Sequence, residues 1–269
     1  MKQSKSNLRS AEHDTLPDEA EDVVIASLGT MTRGSRAMFE RRRRVLREAR
    51  VLLEENGVEA LNMRALAERS GVAVRTLYNV FGGKEVLIST AIRQYYDKFL
   101  RRISTGSDPC DFEWVLSTLI AVNLRNQQIR NYLSALVGLY FSVTVKGQIR
   151  DELQRFAGGF MRPWLEVARA RRQLRPGTDL DRIVINIANL QFAINQEWLA
   201  GHLSESAFIP AIVDGVLTYL IGVTRGDTKA LIEQRSSLLQ GDTDTLSVRI
   251  RHETQRISAL LTRHADRPG

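Results

Sequence analysis

The chain has 269 residues, 43% of them hydrophobic and 26% charged, a composition that fits one or two folded domains and excludes an intrinsically disordered chain. Its single cysteine, Cys110, excludes an internal disulfide framework. The four histidines lie too far apart in sequence to form a helical metal pair, so we predict no metal site and no cofactor. The formal net charge of +7 favours a polyanionic partner but does not identify it.

The positive charge lies in one part of the chain. Lys and Arg exceed Asp and Glu by eight within residues 33–105, and eight arginines fall within residues 33–50 alone. An isolated basic run is more often a solvated helix face than a binding surface. By itself, therefore, this run indicates no particular partner.

Residues 1–33 are polar, acidic and without hydrophobic period, which predicts a flexible N-terminal arm. The arm has no apolar core of the kind that a secretion signal requires. The longest uncharged apolar run, LSALVGLYFSVTV, has thirteen residues and is too short to span a bilayer. We therefore expect a cytoplasmic protein without a membrane partner.

Helical periodicity starts after the arm. The first long helix is indicated by four apolar residues at helical spacing: Phe39, Leu46, Ala49 and Leu53. It should end at Asn56-Gly57, where the glycine can supply a left-handed C-terminal cap. Asn62 then suits the N-cap of a short helix, MRALAERS. The inward face of that helix should hold four residues: Met63, Leu66, Ala67 and Ser70.

A second short helix is predicted from about Val74 to the break at Gly82-Gly83. Four of its residues have the spacing of one helical face: Val74, Leu77, Tyr78 and Phe81. A long amphipathic helix is then predicted from Lys84 to Ile103. The segment TGSDPC that follows it is expected to mark a domain boundary.

The remaining chain is also helical in pattern. Helices are predicted at 111–127, 129–145, 148–173, 179–202 and 204–223, and two weaker amphipathic stretches follow in the tail after residue 225. Because no segment combines a strand period with hairpin signals, we predict an all-α protein.

The two short helices meet the requirements of a helix-turn-helix. Ala67 is small enough for the helices to cross closely, Gly71 relieves the turn between them, and Val72 fills the corner beneath it. Leu77 and Phe81 are expected to anchor the second helix to the core. The amino-terminal part of this helix enters the major groove in such motifs. Its exposed side would carry four hydrogen-bonding residues: Arg75, Thr76, Tyr78 and Asn79.

The segment NMRALAERSGVAVRTLYNVFGGKEVLI resembles the TetR (tetracycline-repressor-like) family of bacterial transcriptional regulators. The hallmark of that family is an alanine in the first helix, a glycine-valine turn, threonine-leucine-tyrosine, a phenylalanine, and a lysine-glutamate pair that opens the next helix. The matching residues are Ala67, Gly71, Val72, Thr76, Leu77, Tyr78, Phe81, Lys84 and Glu85. Ala73, Val80 and Gly83 depart from the pattern, and the loss of two usual caps weakens local helix ends.

The resemblance implies roles in DNA binding. Thr76 and Tyr78 correspond to the family's phosphate- and base-contacting pair, and Lys84 corresponds to its phosphate contact. Arg64 corresponds to a residue near the groove. The alternatives are half-buried packing for Tyr78 and ordinary solvent exposure for Arg64 and Lys84.

Arg75 and Asn79 occupy variable positions that tune sequence preference, where arginine suits guanine and asparagine suits adenine. Next to the motif, the arginine run is placed to reach phosphates or the adjacent minor groove. The complete predicted DNA-binding set is Arg41, Arg42, Arg43, Arg44, Arg64, Val74, Arg75, Thr76, Tyr78, Asn79 and Lys84.

The resemblance also implies a C-terminal effector-binding and dimerisation domain. The predicted dimer interface is Trp198, Ile209, Ile212, Val213, Val216, Leu217 and Leu220, although the same apolar stripe fits the core of a monomer. An unknown small-molecule effector is expected beside polar residues and aromatic walls: Trp114, Asn123, Asn126, Trp164, Asn186, Asn189 and Phe192, with Asn195 as a further candidate. For any one of them, contact with solvent or with the dimer seam is the alternative.

The leading hypothesis is a ligand-responsive repressor that binds a palindromic double-stranded DNA operator as a homodimer. Its divisions would be a flexible arm at 1–33, a helix-turn-helix domain with its connecting helix at 34–105, a helical effector-binding and dimerisation domain at 106–225, and a tail of unknown role at 226–269. One alternative is a non-specific or architectural DNA-binding protein. The other, an all-α enzyme, is disfavoured because the sequence lacks a phosphate loop, an HExxH helix and a paired nucleophile and base.

Overall fold

The computed structural model describes residues 33–104, 108–145, 147–241 and 243–262, so the predicted N-terminal arm lies outside the described residues except for Arg33. The described chain is helical, as predicted, and the β pairing within it is one isolated bridge between Leu174 and Thr224. The helices are α1 (Arg33–Ala60), α2 (Met63–Ser70), α3 (Val74–Phe81), α4 (Lys84–Ile103), α5 (Phe112–Gln128), α6 (Arg130–Phe141), α7 (Gly147–Gly158), a 3-10 turn (Gly159–Met161), α8 (Arg162–Ala170), α9 (Leu180–Leu199), α10 (Glu205–Val223), α11 (Gly226–Gly241) and α12 (Thr243–Thr262).

Helix α1 is longer than its sequence pattern predicts. The predicted end at Asn56-Gly57 is wrong, because α1 continues to Ala60. A glycine inside a helix costs only about 1 kcal/mol relative to alanine. The chain leaves the helix at Leu61, which is buried in the core, and Asn62 then caps α2.

The short helices begin and end where the sequence predicts. The side-chain oxygen of Asn62 caps α2 by accepting a hydrogen bond from the Ala65 amide at 2.8 Å. The four residues predicted for the inward face of α2 are buried. Gly71 ends the helix in the left-handed region, at φ 63° and ψ 36°. Helix α4 then has the predicted bounds, and its predicted apolar face is buried.

Two of the C-terminal predictions differ from the structure. The helix predicted at 129–145 ends at Phe141, and the one predicted at 148–173 is divided into α7, the 3-10 turn and α8. At Gly158 an added Cβ would lie 2.6 Å from the carbonyl oxygen of Val184, so α7 approaches α9 more closely than a side chain allows. Pro163 then stands in the first turn of α8, where proline is favoured.

The buried residues form one hydrophobic cluster that extends from α1 to the tail. Helix α1 packs on α2 and α4 and also on α6, while α4 packs on α7, and α9 packs on α7 and α10. The tail helices form a hairpin in which α11 packs on α10 and α12 packs on α5. The N-terminal helices and the tail are therefore both held by the C-terminal helices.

Helix α10 has the length and composition of a membrane-spanning segment, a feature that the search for uncharged runs missed because Asp214 interrupts it. Core helices of soluble proteins have the same character, so this single helix does not assign a membrane. The share of its apolar window that is buried within the subunit is 39%. Apolar surface of α10 is thus left uncovered by its own chain.

Candidate DNA-binding surface and C-terminal domain

The turn between α2 and α3 fixes the orientation of α3. The Gly71 amide donates to the Glu68 carbonyl at 3.3 Å, and the Val72 amide donates to the Ala67 carbonyl at 3.0 Å. Val72 and Ala67 are buried at the crossing of the two helices. The structure therefore contains the helix-turn-helix that the sequence predicts.

Helix α3 buries a narrow stripe. Leu77 and Phe81 are buried and anchor the helix. Tyr78 is 50% exposed and Val74 is 37% exposed, so of the four residues with the spacing of one face only the two predicted anchors are buried. Successive helix positions are about 100° apart, which turns position 78 well away from the line through 77 and 81. In this two-turn helix only Leu77 and Phe81, which lie on that line, are buried.

The outward side of α3 carries hydrogen-bonding groups. Arg75 and Asn79 are exposed one turn apart, and Thr76 is half-buried beside them. Together with the exposed Tyr78, they offer guanidinium, amide and hydroxyl groups. Such groups bind phosphate oxygens and the edges of bases in the major groove.

The amino-terminal end of α3 has no side-chain cap. Ala73 accepts hydrogen bonds at its carbonyl from the Thr76 and Leu77 amides, at 2.9 and 3.2 Å, but contributes no capping side chain. A first turn without a side-chain cap carries partial positive charge that a phosphate can neutralise.

Two arginines of α1 lie beside the helix-turn-helix. The Arg42 guanidinium carbon is 5.1 Å from the centroid of the Phe81 ring. A Cβ atom added to Gly71 would lie 4.0 Å from Nη2 of Arg44, so that side chain reaches the turn between α2 and α3. Arg41, Arg42 and Arg44 are exposed. The predicted run therefore extends the basic surface along one edge of α3.

The other predicted cations differ in environment. Arg43 is half-buried with its guanidinium 5.9 Å from the Phe39 ring, and burial, together with the charge of Arg47, lowers the pKa of that guanidinium. Arg64 is exposed on α2. Lys84 is half-buried as the first residue of α4. The Arg43 side chain thus packs against Phe39 of the same helix, whereas its neighbours in the run are exposed.

The sequence of this region matches that of known regulators. Residues 45–91, which include α2, α3 and parts of α1 and α4, match the sequence model described as bacterial regulatory proteins, tetR family. This region is a TetR-family helix-turn-helix domain. A named relative of the chain is the HTH-type transcriptional repressor KstR of Rhodococcus jostii (strain RHA1), 41% identical over 87 residues that make up 32% of this chain and 40% of that protein. The chain spans 36–43% of the length of the curated relatives it matches.

Solved structures resemble about two thirds to three quarters of the chain. Thermus thermophilus FadR in complex with lauroyl-CoA is 18% identical with a TM-score of 0.52, covering 69% of this chain and 96% of that one. RolR in complex with resorcinol is 18% identical with a TM-score of 0.53, covering 76% of this chain and 96% of that one. At such identity the likeness shows the fold: an N-terminal helix-turn-helix domain and a larger C-terminal helical domain.

In the C-terminal domain, two of the residues predicted for the effector site form a buried amide network. The Asn126 oxygen accepts from the Tyr96 hydroxyl at 3.0 Å, and its amide donates to the Asn123 oxygen at 3.4 Å. The Asn123 amide donates to the Gln191 oxygen at 3.2 Å, and Gln191 donates to the Ala157 carbonyl at 2.5 Å. Sequence reasoning missed Gln191. The network joins α4, α5, α9 and α7 without a charged group.

Helix α4 is tied to α5 by two adjacent tyrosines. Besides the contact of Tyr96 with Asn126, the Tyr95 hydroxyl accepts a hydrogen bond from Nε of the buried Arg125 at 2.8 Å. Burial raises the pKa of the Tyr96 hydroxyl well above its ordinary value, so it remains a protonated donor. The helix that begins at the DNA-binding surface is thereby hydrogen-bonded to the domain interior.

Aromatic rings fill the space beside the amide network. Tyr96 stacks on Phe156 at 3.8 Å between centroids, and Tyr140 stacks on Phe192 at 3.9 Å. Trp164 is buried with its ring 5.1 Å from that of Phe112. The cavities described below, between 260 and 630 Å³, are lined by other residues. The predicted walls Trp164 and Phe192 therefore pack against neighbouring rings in this structure.

The remaining predicted polar residues differ in their partners. Asn186 donates to the Tyr219 hydroxyl at 3.0 Å, and Asn189 is exposed but accepts from the Tyr140 hydroxyl at 2.5 Å. Asn195 is buried, and its side-chain oxygen has no hydrogen-bond partner among the described residues. Trp114 is half-buried, and its indole nitrogen likewise lacks a partner there.

The seven residues predicted for the dimer interface are buried within the subunit: Trp198, Ile209, Ile212, Val213, Val216, Leu217 and Leu220. The Trp198 indole donates to the Glu205 carboxylate at 2.9 Å, and its ring stacks on that of Phe208 with centroids 4.5 Å apart. In this structure these residues belong to the core of one chain, the alternative that the sequence left open.

The open side of α9 and α10 consists of other residues, which sequence reasoning missed. Small and apolar side chains there are exposed or half-buried: Leu190, Ala193, Ile194, Ala211, Gly215, Thr218, Tyr219 and Gly222. An added Cβ on Gly215 would lie 3.3 Å from Leu190 Cδ2, so the two helices pack closely along this side. The available signal was that α10 is apolar on more sides than one core face needs.

Proposed function

We propose that this chain is a sequence-specific transcriptional regulator, a ligand-responsive repressor that binds a palindromic DNA operator as a homodimer. The observation that carries the proposal is the division of α3: Leu77 and Phe81 are buried, whereas Arg75, Tyr78 and Asn79 face outward. An anchored helix with this exposed chemistry fits the major groove. The KstR relatives, whose printed name is transcriptional repressor, support repression.

Phosphate contacts complete the proposed DNA surface. We assign them to Arg42 and Arg44, beside α3, and to Lys84 at the start of α4. Lysine at a helix amino terminus opposes the helix dipole, and a bound phosphate would offset that cost. Arg43 is left out of this surface because it packs toward Phe39.

The proposed homodimer uses the open side of α9 and α10. Apolar surface of α10 is uncovered by its own chain, and small residues such as Ala211 and Gly222 would let a partner helix approach closely. One recognition helix makes few base contacts, whereas two related by a two-fold axis fit half-sites about 34 Å apart.

The proposed effector site lies at the buried amide network. A neutral ligand with hydrogen-bonding groups would meet the unpaired oxygen of Asn195 and displace the rings stacked beside Asn123 and Gln191. FadR and RolR, which share the fold, were solved with lauroyl-CoA and resorcinol. Such binding would move α4 through Tyr95 and Tyr96 and so change the fit of α3 to DNA.

Selection of binding sites from random duplexes tests the central proposal. A two-fold symmetric consensus is expected, and light scattering at micromolar protein should give the mass of a dimer. An Arg251→Ala variant, altered at an exposed position of the tail helix α12, should retain the consensus. Selection that enriches no sequence, or a chain that remains monomeric with and without DNA, would contradict the proposal.

The second candidate function is non-specific DNA binding, which the exposed arginines of α1 favour. Salt titration separates the two. Specific recognition leaves an affinity difference of about 4–10 kcal/mol between operator and random DNA at physiological salt, whereas non-specific binding weakens alike on both. We assign a cytoplasmic location and no catalytic step to either function.

A further inference from the structure

The tail hairpin encloses a cavity against α5. The space measures about 460 Å³, within the range of small-molecule sites. Its apolar walls are Leu116 from α5, Leu238 and Leu239 from α11, and Val248 from α12. Arg235 and Arg249 line the same space from the two tail helices. Glu253 also lines it, with its carboxylate paired to Arg256. The cavity therefore combines apolar walls with two arginines.

The two arginines share a single carboxylate. Nη1 of Arg249 lies 2.7 Å from Oε2 of Glu113, and its Nη2 donates to the hydroxyl of Ser117 at 3.0 Å. Nε of Arg235 lies 2.5 Å from Oε1 of Glu113. Among the described residues, Arg235 has no partner besides Glu113. The Arg235 side chain is 36% exposed, so its remaining N–H groups can donate to a further anion.

Apolar surface is exposed beside these cations. Leu238 is 49% exposed and Val248 is 53% exposed, whereas Leu116 and Leu239 are buried behind them. A long apolar side chain gains free energy when it leaves water, at about 25 cal/mol for each Å². An apolar group inserted between the tail helices and α5 would cover this surface.

We propose that this cavity is a second ligand site, which binds an organic anion with an apolar body. The anionic group would accept hydrogen bonds from Arg235 and Arg249, and the body would lie against Leu238 and Val248. Guanidinium groups bind carboxylates by charge-assisted, often bidentate hydrogen bonds, which suits this pair. The site is separate from the amide network of the proposed effector site.

Other described cavities lack this combination. The one between α1 and α6 is lined by two carboxylates, Glu54 and Glu55. The one between α10 and the tail hairpin has apolar walls and serines but no arginine or lysine. The one between α1 and α4 has arginines but few apolar residues, Phe39 and Leu46. Of the cavities compared, the one lined by Arg235 and Arg249 therefore best fits an anion with an apolar body.

Calorimetric titration of the full chain, without DNA, tests this proposal independently of the DNA-binding function. The probes are 4-phenylbutyrate, the matched neutral alcohol 4-phenylbutanol, and acetate, which has no apolar body. We expect saturable binding of one 4-phenylbutyrate per chain, binding of the alcohol weaker by about tenfold or more, and no saturation by acetate.

Amino-acid substitutions test whether the anion binds in this cavity. Arg235→Gln should weaken 4-phenylbutyrate by about tenfold or more, whereas Arg251→Gln, a matched change at an exposed arginine of α12, should leave it unchanged. Leu238→Asp, at an exposed wall position, should also weaken it and serves as the deciding variant if Arg235→Gln does not fold. Binding that is absent in the unaltered chain, equal for acid and alcohol, or retained in both variants would overturn the proposal.

Discussion

The helix-turn-helix and the C-terminal helices are both built from amphipathic helices, but they encode function differently. In α2 and α3, each functional side chain is positioned by residues within a few places of it, such as Gly71 and Leu77. In the C-terminal domain, Asn123 meets Gln191, 68 positions away. A short segment can therefore carry a recognisable DNA-reading surface, whereas a ligand-binding interior depends on the meeting of distant helices.

Leu77→Ala should produce the largest effect, because it removes the anchor of α3, the helix that carries the proposed base-reading residues. Truncating a buried leucine costs about 2–5 kcal/mol, and a two-turn helix has no other means of holding its position. We expect lost operator binding in gel shifts and faster hydrogen exchange in α3. Val80→Ala, at a partly exposed site on the same helix, is the control and should change stability by about 0.5 kcal/mol or less. Equal effects of the two substitutions would show that α3 is not anchored as described.

Arg75→Ala separates base reading from general attraction to DNA. Its removal should relax preference at one operator position by about 1–3 kcal/mol. Lys84→Ala is the matched comparison and should weaken all sequences alike, with the salt slope reduced by about one. Competition gel shifts with single-position operator variants measure both. An unchanged preference after Arg75→Ala would remove Arg75 from the reading surface.

Tyr96→Phe tests how much the buried amide network of the C-terminal domain stabilises the fold. The Asn126 oxygen would lose the Tyr96 hydroxyl and remain buried, which costs about 1–3 kcal/mol in urea unfolding. Tyr140→Phe is the control, because its hydroxyl donates to the exposed Asn189, where water can replace it. A cost for Tyr140→Phe as large as that for Tyr96→Phe would contradict a special role of the buried network.

Ala73→Ser should have the smallest effect and the opposite sign. Ala73 already has the extended conformation of an N-cap, at φ −62° and ψ 141°, but lacks a side-chain acceptor. A serine should stabilise α3 by about 0.5–1 kcal/mol, which slower hydrogen exchange at Thr76 and Leu77 would report. Faster exchange would indicate that the hydroxyl disturbs the turn.

Local sequence predicts the helix-turn-helix well because its boundaries depend on local chemistry. Asn62 caps α2 and Gly71 ends it whatever the rest of the chain does. The end of α1 and the break at Gly158 were not predictable in this way. The first depends on where Leu61 meets the core, and the second on how closely α7 approaches Val184.

The candidate sites show the same limit. Four consecutive arginines rotate about 100° per residue, so they cannot all face one side of α1, and Arg43 turns away from Arg42 and Arg44. On α10, apolar residues occur on several sides. The hydrophobic period therefore could not show that Ile212 and Val216 lie in the core while Gly215 lies on the open side.

Helix α4 is long enough that a small tilt moves one of its ends by a large distance. Its 20 residues form a rod about 30 Å long, with Lys84 at one end and Ile103 at the other. At the far end, the Ile103 carbonyl accepts a hydrogen bond from Arg256 of α12 at 2.9 Å. A rigid rod of this length acts as a lever arm, so a tilt of about 5° moves one end by about 2.5 Å relative to the other. That displacement exceeds the tolerance of a hydrogen bond, so a tilt about the end held by Arg256 would move Lys84, for which we propose a phosphate contact, out of reach of that phosphate.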